Sequence, residues 1–269
     1  MTAPTLARQI RAHVLRMTNR AGSSHVGSCL SVADLLAVLY AGWLRVDPSS
    51  PVNPDRDRFI LSKGHACAAL YAVLAERVFF PVERLETFYA DGSRLIGHVS
   101  HTAAPGIEAS TGSLGHGLAI GCGMAMTAAV DRRSSRTVVL MSDGECGEGS
   151  IWEAALLAAH QRLDRLVAIV DANRLQGLGE VNDVLRIEPL ADKWRAFGWS
   201  VRDIDGHDCD EIRAALEAMP FETGRPSCLI ARTVKGKGVS FMEDQLSWHY
   251  RAPTDDDLVV ALREIEAVS

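Results

Sequence analysis

Thr-Val-Val-Leu-Met-Ser-Asp-Gly-Glu-Cys-Gly-Glu-Gly-Ser, residues 137–150, and the later Leu-Val-Ala-Ile-Val-Asp-Ala-Asn, residues 166–173, decide the fold of this chain. Each begins as a run that is apolar at almost every position and then turns abruptly polar. A strand with one wet face would alternate, so these two strands are predicted to be covered on both faces, as in the interior of a parallel sheet. Residues 150–163 between them carry helical periodicity. Strand, turn, helix and strand make a βαβ unit, which brings both strand ends to the same edge. In open parallel sheets that edge is where ligands bind.

The same grammar extends in both directions. Upstream, residues 58–62 form a short apolar run ending at Lys63-Gly64-His65, and residues 66–77 read as helix. Downstream come a helix at 189–197, a strand at 200–204, a helix at 210–219 and a strand at 228–234. Leu6, Ile10, Val14 and Met17 repeat at helical spacing, predicting a helix over 5–20. Ser31 and Asp34 suggest a capping box before a helical run at 35–44. Thr254 is placed to cap a tail helix over about 254–268, with Asp255, Asp256 and Asp257 favoured by its positive end. The expected fold class is α/β, a doubly wound and mainly parallel sheet with helices on both faces, in a single domain spanning 1–269.

Composition removes several functions. The chain has 269 residues, 47% hydrophobic and 23% charged, with a formal net charge of −6. Without a basic stripe, it lacks the footprint of a nucleic-acid binder. No apolar run is long enough to span a bilayer, and the N-terminus has no apolar signal core, so a cytoplasmic location and no membrane partner are expected. The six cysteines never approach C-x-x-C spacing, so they read as reduced, mostly buried thiols.

Asp143 and Asn173 end the two deciding strands with a carboxylate and a carboxamide oxygen, ligands suited to Mg²⁺ or Ca²⁺. Gly144, Gly147 and Gly149 allow the backbone to pass close to an anion, and the following helix points its positive end there. A diphosphate bound with a divalent cation fits these features.

The pattern Ser142-Asp143-Gly144-Glu145-Cys146-Gly147-Glu148-Gly149, then Glu153-Ala154, then Asp171-Ala172-Asn173, resembles the thiamine diphosphate fingerprint. Ser24-His25-Val26-Gly27, Lys63-Gly64-His65-Ala66, Gly97-His98, the stretch from Pro105-Gly106-Ile107-Glu108 to Gly117, and Lys235-Gly236-Lys237-Gly238 with Trp248-His249 resemble the transketolase family in order along nearly the whole chain. The resemblance implies that Asp143, Asn173 and the backbone carbonyl of Leu175 hold the metal. It implies that His65, Gly144 and His249 reach the diphosphate, with Gly112, Ser113, Leu114 and Glu145 also at the cofactor. It assigns His25 and His98 to substrate hydroxyls and proton transfer, with His65 and His249 as further catalytic candidates. Glu148 and Glu153 correspond to carboxylates near a contact between subunits, although Ser150 and Glu153 also read as a capping box. His13, His160 and His207 are expected to be structural, and His101 and His116 are left unassigned.

Three positions depart from the family pattern. Ser142 replaces the first glycine of Gly-Asp-Gly, at a cost of about 1 kcal/mol if that glycine needs positive φ and at almost none if it does not. Val26 and His116 are the others. The family's pyrimidine-binding domain, with the glutamate that protonates the aminopyrimidine ring, is not found in these residues. The tail reads as a capped helix, so the expectation is one half of a two-gene enzyme. It would work in an α₂β₂ complex with a C-terminal transketolase subunit, moving a two-carbon ketol unit from a ketose or ketose phosphate to an aldose. Related readings are a subunit of a 2-oxoacid dehydrogenase, a deoxyxylulose-phosphate-synthase-like enzyme, and a non-catalytic paralogue.

Overall fold

The structure, a computed structural model, describes residues 1–267; Val268, the last residue of the predicted tail helix, lies outside them. Helices α1 (Ala3–Ala21), α2 (Val26–Ser31) and α3 (Ala33–Val38) precede the first strand, β1 (Arg58–Leu61). Two helices follow, α4 (Cys67–Glu76) and α5 (Gly117–Val130), and then β2 (Thr137–Ser142). Next come α6 (Gly149–His160), β3 (Leu166–Ala172) and a small hairpin of β4 (Leu175–Gln176) and β5 (Gly179–Glu180). The remainder is α7 (Val181–Val184), α8 (Leu190–Ala196), β6 (Ser200–Asp205), α9 (Cys209–Glu217), β7 (Ser227–Arg232) and α10 (Asp255–Ala267).

Five strands pair in the order β1-β2-β3-β7-β6, all parallel. Successive side chains of a strand point to opposite faces, so the apolar runs feed two cores at once. Leu140, Ile169 and Leu229 join α1, α3, α4 and α9 on one face. Val139, Met141, Val170 and Ile230 join α5, α6 and α8 on the other. The doubly wound arrangement expected from the sequence is present, and β1, β2, β3 and β7 deliver their carboxyl ends to one edge.

Three local expectations change. Residues 35–44 do not form one helix: α3 ends at Val38, and Leu39–Trp43 is a wider π turn in which Gly42 takes φ 146°. Ser31 and Asp34 make no capping box; the Ser31 hydroxyl donates to Asp171, and Asp34 is buried against Arg11 and His207. Nor do Ser150 and Glu153, because the Ser150 hydroxyl donates to the Gly115 carbonyl at 2.9 Å and Glu153 is exposed. The cap at Thr254 does form. Its hydroxyl accepts from the Asp257 N–H, while the Asp257 carboxylate accepts from the Thr254 N–H.

Helix α5 has no counterpart in the sequence reading. It is apolar all round and carries Gly117, Gly121 and Gly123, so neither periodicity nor propensity marks it. Two of those glycines allow close packing: a Cβ on Gly117 would collide with the Ser62 hydroxyl, and one on Gly121 would lie 2.5 Å from a Val139 methyl. All six cysteines are unpaired, and five are buried.

Candidate active site

A cleft of about 130 Å³ opens at the carboxyl edge of the sheet, lined among others by Asp143, Asn173, Leu175, Lys235, His65 and His249. Asp143 follows β2. Its carboxylate accepts from the Gly144 N–H at 2.7 Å and from the Arg174 N–H at 2.6 Å, tying the loops after β2 and β3 together. Burial, with the nearby Asp171 carboxylate, pushes Asp143 up to about 6. A divalent cation would relieve that surplus of negative charge.

Asn173 is buried beyond β3 and aimed by its neighbours. Its amide N–H donates to Asp171 at 2.8 Å, which turns its oxygen toward the Leu175 N–H at 3.1 Å. Asp171 is fully buried. Burial opposes its charge, but the Lys63 ammonium, with Thr233 and Ser31 hydroxyls, more than offsets this and holds it below the usual carboxylate range. The Lys63 charge is therefore taken up by Asp171.

Lys235, just beyond β7, is different. It is 1% exposed, and its ammonium donates to the Leu175 carbonyl and to His249 Nδ1, each at 2.9 Å. It forms no ion pair among the described residues. Burial and the nearby Lys63 lower it to about 8. A buried cation without a counter-ion is suited to an anionic ligand.

Four histidines expected from the sequence converge above this floor. The His25 ring lies 5.0 Å from His65, 4.9 Å from His249 and 6.0 Å from His98, centre to centre. Burial first, then neighbouring imidazoles and lysines, lowers His25 to about 4, His249 to about 3 and His65 well below the ordinary value. At neutral pH these three are uncharged, so each has one N–H to donate and one nitrogen to accept. His25 sits at φ 72°, a left-handed conformation that an L-residue adopts at some cost. His98 is exposed at the outer rim.

The remaining expected residues divide. Gly144 and Leu114 line the cleft, and Gly112 packs on His98, where a Cβ would lie 3.1 Å from the ring. Ser113 is exposed. Glu145 lines the cleft, but its carboxylate is occupied by the Ser62 hydroxyl and the Gly115 and Ser142 N–H groups, joining three loops. Glu148 and Glu153 are exposed near the start of α6, with Leu156 58% and Leu157 41% exposed on the same helix. His13 pairs with Glu76 and His207 with Asp34, as structural roles require; His160 is exposed. His101 bonds Ser110, and His116 lies against the Ser113 and Leu114 carbonyls. Lys235 and Asp171 stood inside recognised motifs without a role, because burial of a charge cannot be read from its neighbours in sequence.

The donors fit a divalent cation: one carboxylate, one carboxamide oxygen and one backbone carbonyl, all hard oxygen ligands. Among the described residues no three His, Cys, Asp or Glu side chains converge as a metal cluster. The rest of an octahedral shell would have to come from ligand oxygens and water.

Fold and site define a class, a doubly wound α/β domain whose oxygen-lined, cation-bearing edge suits a phosphorylated cofactor. Residues 2–267 match the transketolase thiamine diphosphate binding domain. The 6-deoxy-6-sulfo-D-fructose transketolase subunit of Clostridium sp. (strain MSTE9) is 42% identical over 260 residues, 97% of this chain and 94% of that protein. An apulose-4-phosphate transketolase subunit of Phocaeicola vulgatus is 42% identical over 255 residues, 95% of this chain and 90% of that protein. The solved transketolase from Leishmania mexicana superposes with a TM-score of 0.92 at 29% identity, over 99% of this chain and 41% of that one. The chain belongs to the transketolase family of transferases, as its thiamine-diphosphate-binding domain. It spans 41% of the length of that solved transketolase and nearly all of the two bacterial subunits.

Proposed function

We propose that this chain acts as a single cofactor-binding domain that holds thiamine diphosphate with Mg²⁺ or Ca²⁺ and transfers a two-carbon ketol unit from a ketose to an aldose together with a partner subunit. One observation carries the reading: an unpaired buried lysine and neutral imidazoles face the carboxylate and carboxamide of Asp143 and Asn173 across one small cleft. Asp143, Asn173 and the Leu175 carbonyl would hold the metal; that carbonyl already accepts from Lys235 and has a second lone pair. Lys235, His65, His249 and Gly144 would hold the diphosphate, and Gly112, Ser113 and Leu114 would lie along the cofactor.

When bound, the cofactor supplies the carbon nucleophile and stores the two-carbon fragment. The chain's residues orient it and manage protons. His25 and His98 would bind sugar hydroxyls, and the uncharged imidazole of His25 can accept a proton at one nitrogen while donating from the other. The pyrimidine-binding glutamate would come from the partner, in a cytoplasmic α₂β₂ assembly. The exposed Glu148, Glu153, Leu156 and Leu157 on and beside α6 support an interface there, since exposed apolar pairs beside charge mark such surfaces.

The test is calorimetry of thiamine diphosphate binding, with and without Mg²⁺, on the chain co-purified with its partner, followed by a ketose and aldose screen. Binding is expected to require the metal and to weaken by at least about 100-fold in Asp143→Asn, consistent with loss of a charged ligand. Metal-independent binding, or full transferase activity of this chain alone, would remove the proposal.

A further inference from the structure

The loop from β7 into the cleft runs Thr233-Val234-Lys235-Gly236-Lys237-Gly238, with Gly236 at φ 85° and Gly238 at φ 95°. Glycines in that region give a segment many alternatives, so a side chain on it is not aimed by the loop alone. Yet Lys235 is buried and held to two acceptors.

On the far side of the loop from the cleft lies a second polar cluster. Arg11 of α1 donates through Nε to the Lys237 carbonyl at 3.0 Å and through its two terminal nitrogens to both oxygens of Asp34 on α3. Asp34 Oδ2 also lies 2.7 Å from His207 Nδ1, and His207 Nε2 lies 2.8 Å from the Val234 N–H. A backbone N–H can only donate. His207 Nε2 therefore carries the lone pair, its proton sits on Nδ1, and that proton is given to Asp34. Burial opposes the Asp34 charge, but Arg11 and His207 more than offset it and hold the carboxyl below its usual range.

The two grips fall at Val234 and Lys237, one before and one after Lys235. The loop also passes close to Arg11 and Ile265 at Gly238, where a Cβ would lie 2.9 Å from Ile265 Cδ1 and 3.2 Å from Arg11 Cδ. The loop is also met by the Gly27 carbonyl, which accepts from the Gly236 N–H at 3.0 Å. The loop that carries the ammonium is thus backed by a triad drawn from α1, α3 and the β6–α9 turn, with Arg11 and Asp34 buried and His207 half-buried.

We propose that Arg11, Asp34 and His207 are positioning residues that preset Lys235 for the diphosphate by clamping its loop from behind. The proposal rests on the cofactor reading above. Preorganisation of this kind lowers the ordering cost at binding, so its loss should weaken diphosphate affinity while sparing the rest of the cofactor's contacts.

The clamp is tested in the two-subunit complex with His207→Asn, whose shorter amide reaches Asp34 but not Val234, and His207→Gln, whose carbonyl oxygen can replace Nε2. Hydrogen exchange of residues 234–238 without cofactor is expected to speed up in His207→Asn and to stay near wild type in His207→Gln. With Mg²⁺, the Kd for thiamine diphosphate should rise about tenfold in His207→Asn, the worth of one hydrogen bond, and thiamine lacking the diphosphate should bind unchanged. In a Lys235→Met background, His207→Asn should add no further loss. Equal weakening for thiamine and thiamine diphosphate, additive losses in that background, or unchanged exchange of the loop would overturn the clamp. Failure of the wild-type complex to bind thiamine diphosphate would instead remove the cofactor reading, and the proposed purpose of the clamp with it.

Discussion

Ser142 is the clearest departure from the family's motif, and its environment explains why it is tolerated. It lies on β2 and does not take positive φ, so no strain attaches to having a side chain there. Its hydroxyl accepts from the Glu145 N–H at 3.2 Å, while the Glu145 carboxylate accepts from the Ser142 N–H at 3.2 Å. That is a reciprocal capping box around Asp143, at a position where the sequence reading left a cost and a nearly free substitution as the two alternatives. Ser142→Ala is expected to lower stability by about 1 kcal/mol, read by urea denaturation, because it leaves the Glu145 N–H without its acceptor. A neutral or stabilising result would mean that the serine is only accommodated.

At the scale of elements, α5 shows how a helix without an amphipathic pattern is fitted to a sheet. Gly121 faces β2 without space for a methyl, whereas a Cβ on Gly123 would have nothing within 4 Å. The two glycines should therefore respond in opposite directions. Gly121→Ala is expected to destabilise by about 1–3 kcal/mol through overpacking against Val139. Gly123→Ala should stabilise by about 0.5–1 kcal/mol through reduced backbone freedom. Thermal unfolding of the two variants side by side checks the sign of each, and equal shifts would contradict this packing of α5 on β2.

For the whole molecule, acid stability is where the buried ion pairs become visible. Asp57 is fully buried at the turn into β1; burial raises its pKa, but Arg45 and Arg136 more than offset that and leave it below its usual value. A carboxyl whose folded pKa is depressed binds fewer protons folded than unfolded. Its stabilisation is therefore complete above the unfolded pKa of about 3.9 and is lost as pH falls through the folded value. Asp34, depressed by Arg11 and His207 against burial, acts in the same direction. Urea denaturation from pH 7 to pH 3 should show the wild type losing its advantage over Asp57→Asn only below about pH 4. A gap that stays constant over that range would show that Asp57 does not carry this linkage.

Much of this protein could be read without coordinates. Apolar runs closed by Asp143 and Asn173 determine a doubly wound sheet with a ligand edge, because full burial of a strand and the handedness of its crossover are properties of local sequence. The histidines His25, His65, His98 and His249 are legible as positions in motifs that resemble the family's. What the tertiary structure alone decided is which charges are spent and which are free. Lys63 and Lys235 look alike in sequence and both line the cleft, yet one is neutralised by Asp171 and the other has no ion pair among the described residues. Asp34 looks like a cap and is instead the centre of a triad joining α1, α3 and the turn before α9. Pairings of this kind depend on which distant residues the fold brings within 3 Å and on the exclusion of water between them, and neither is encoded in local pattern.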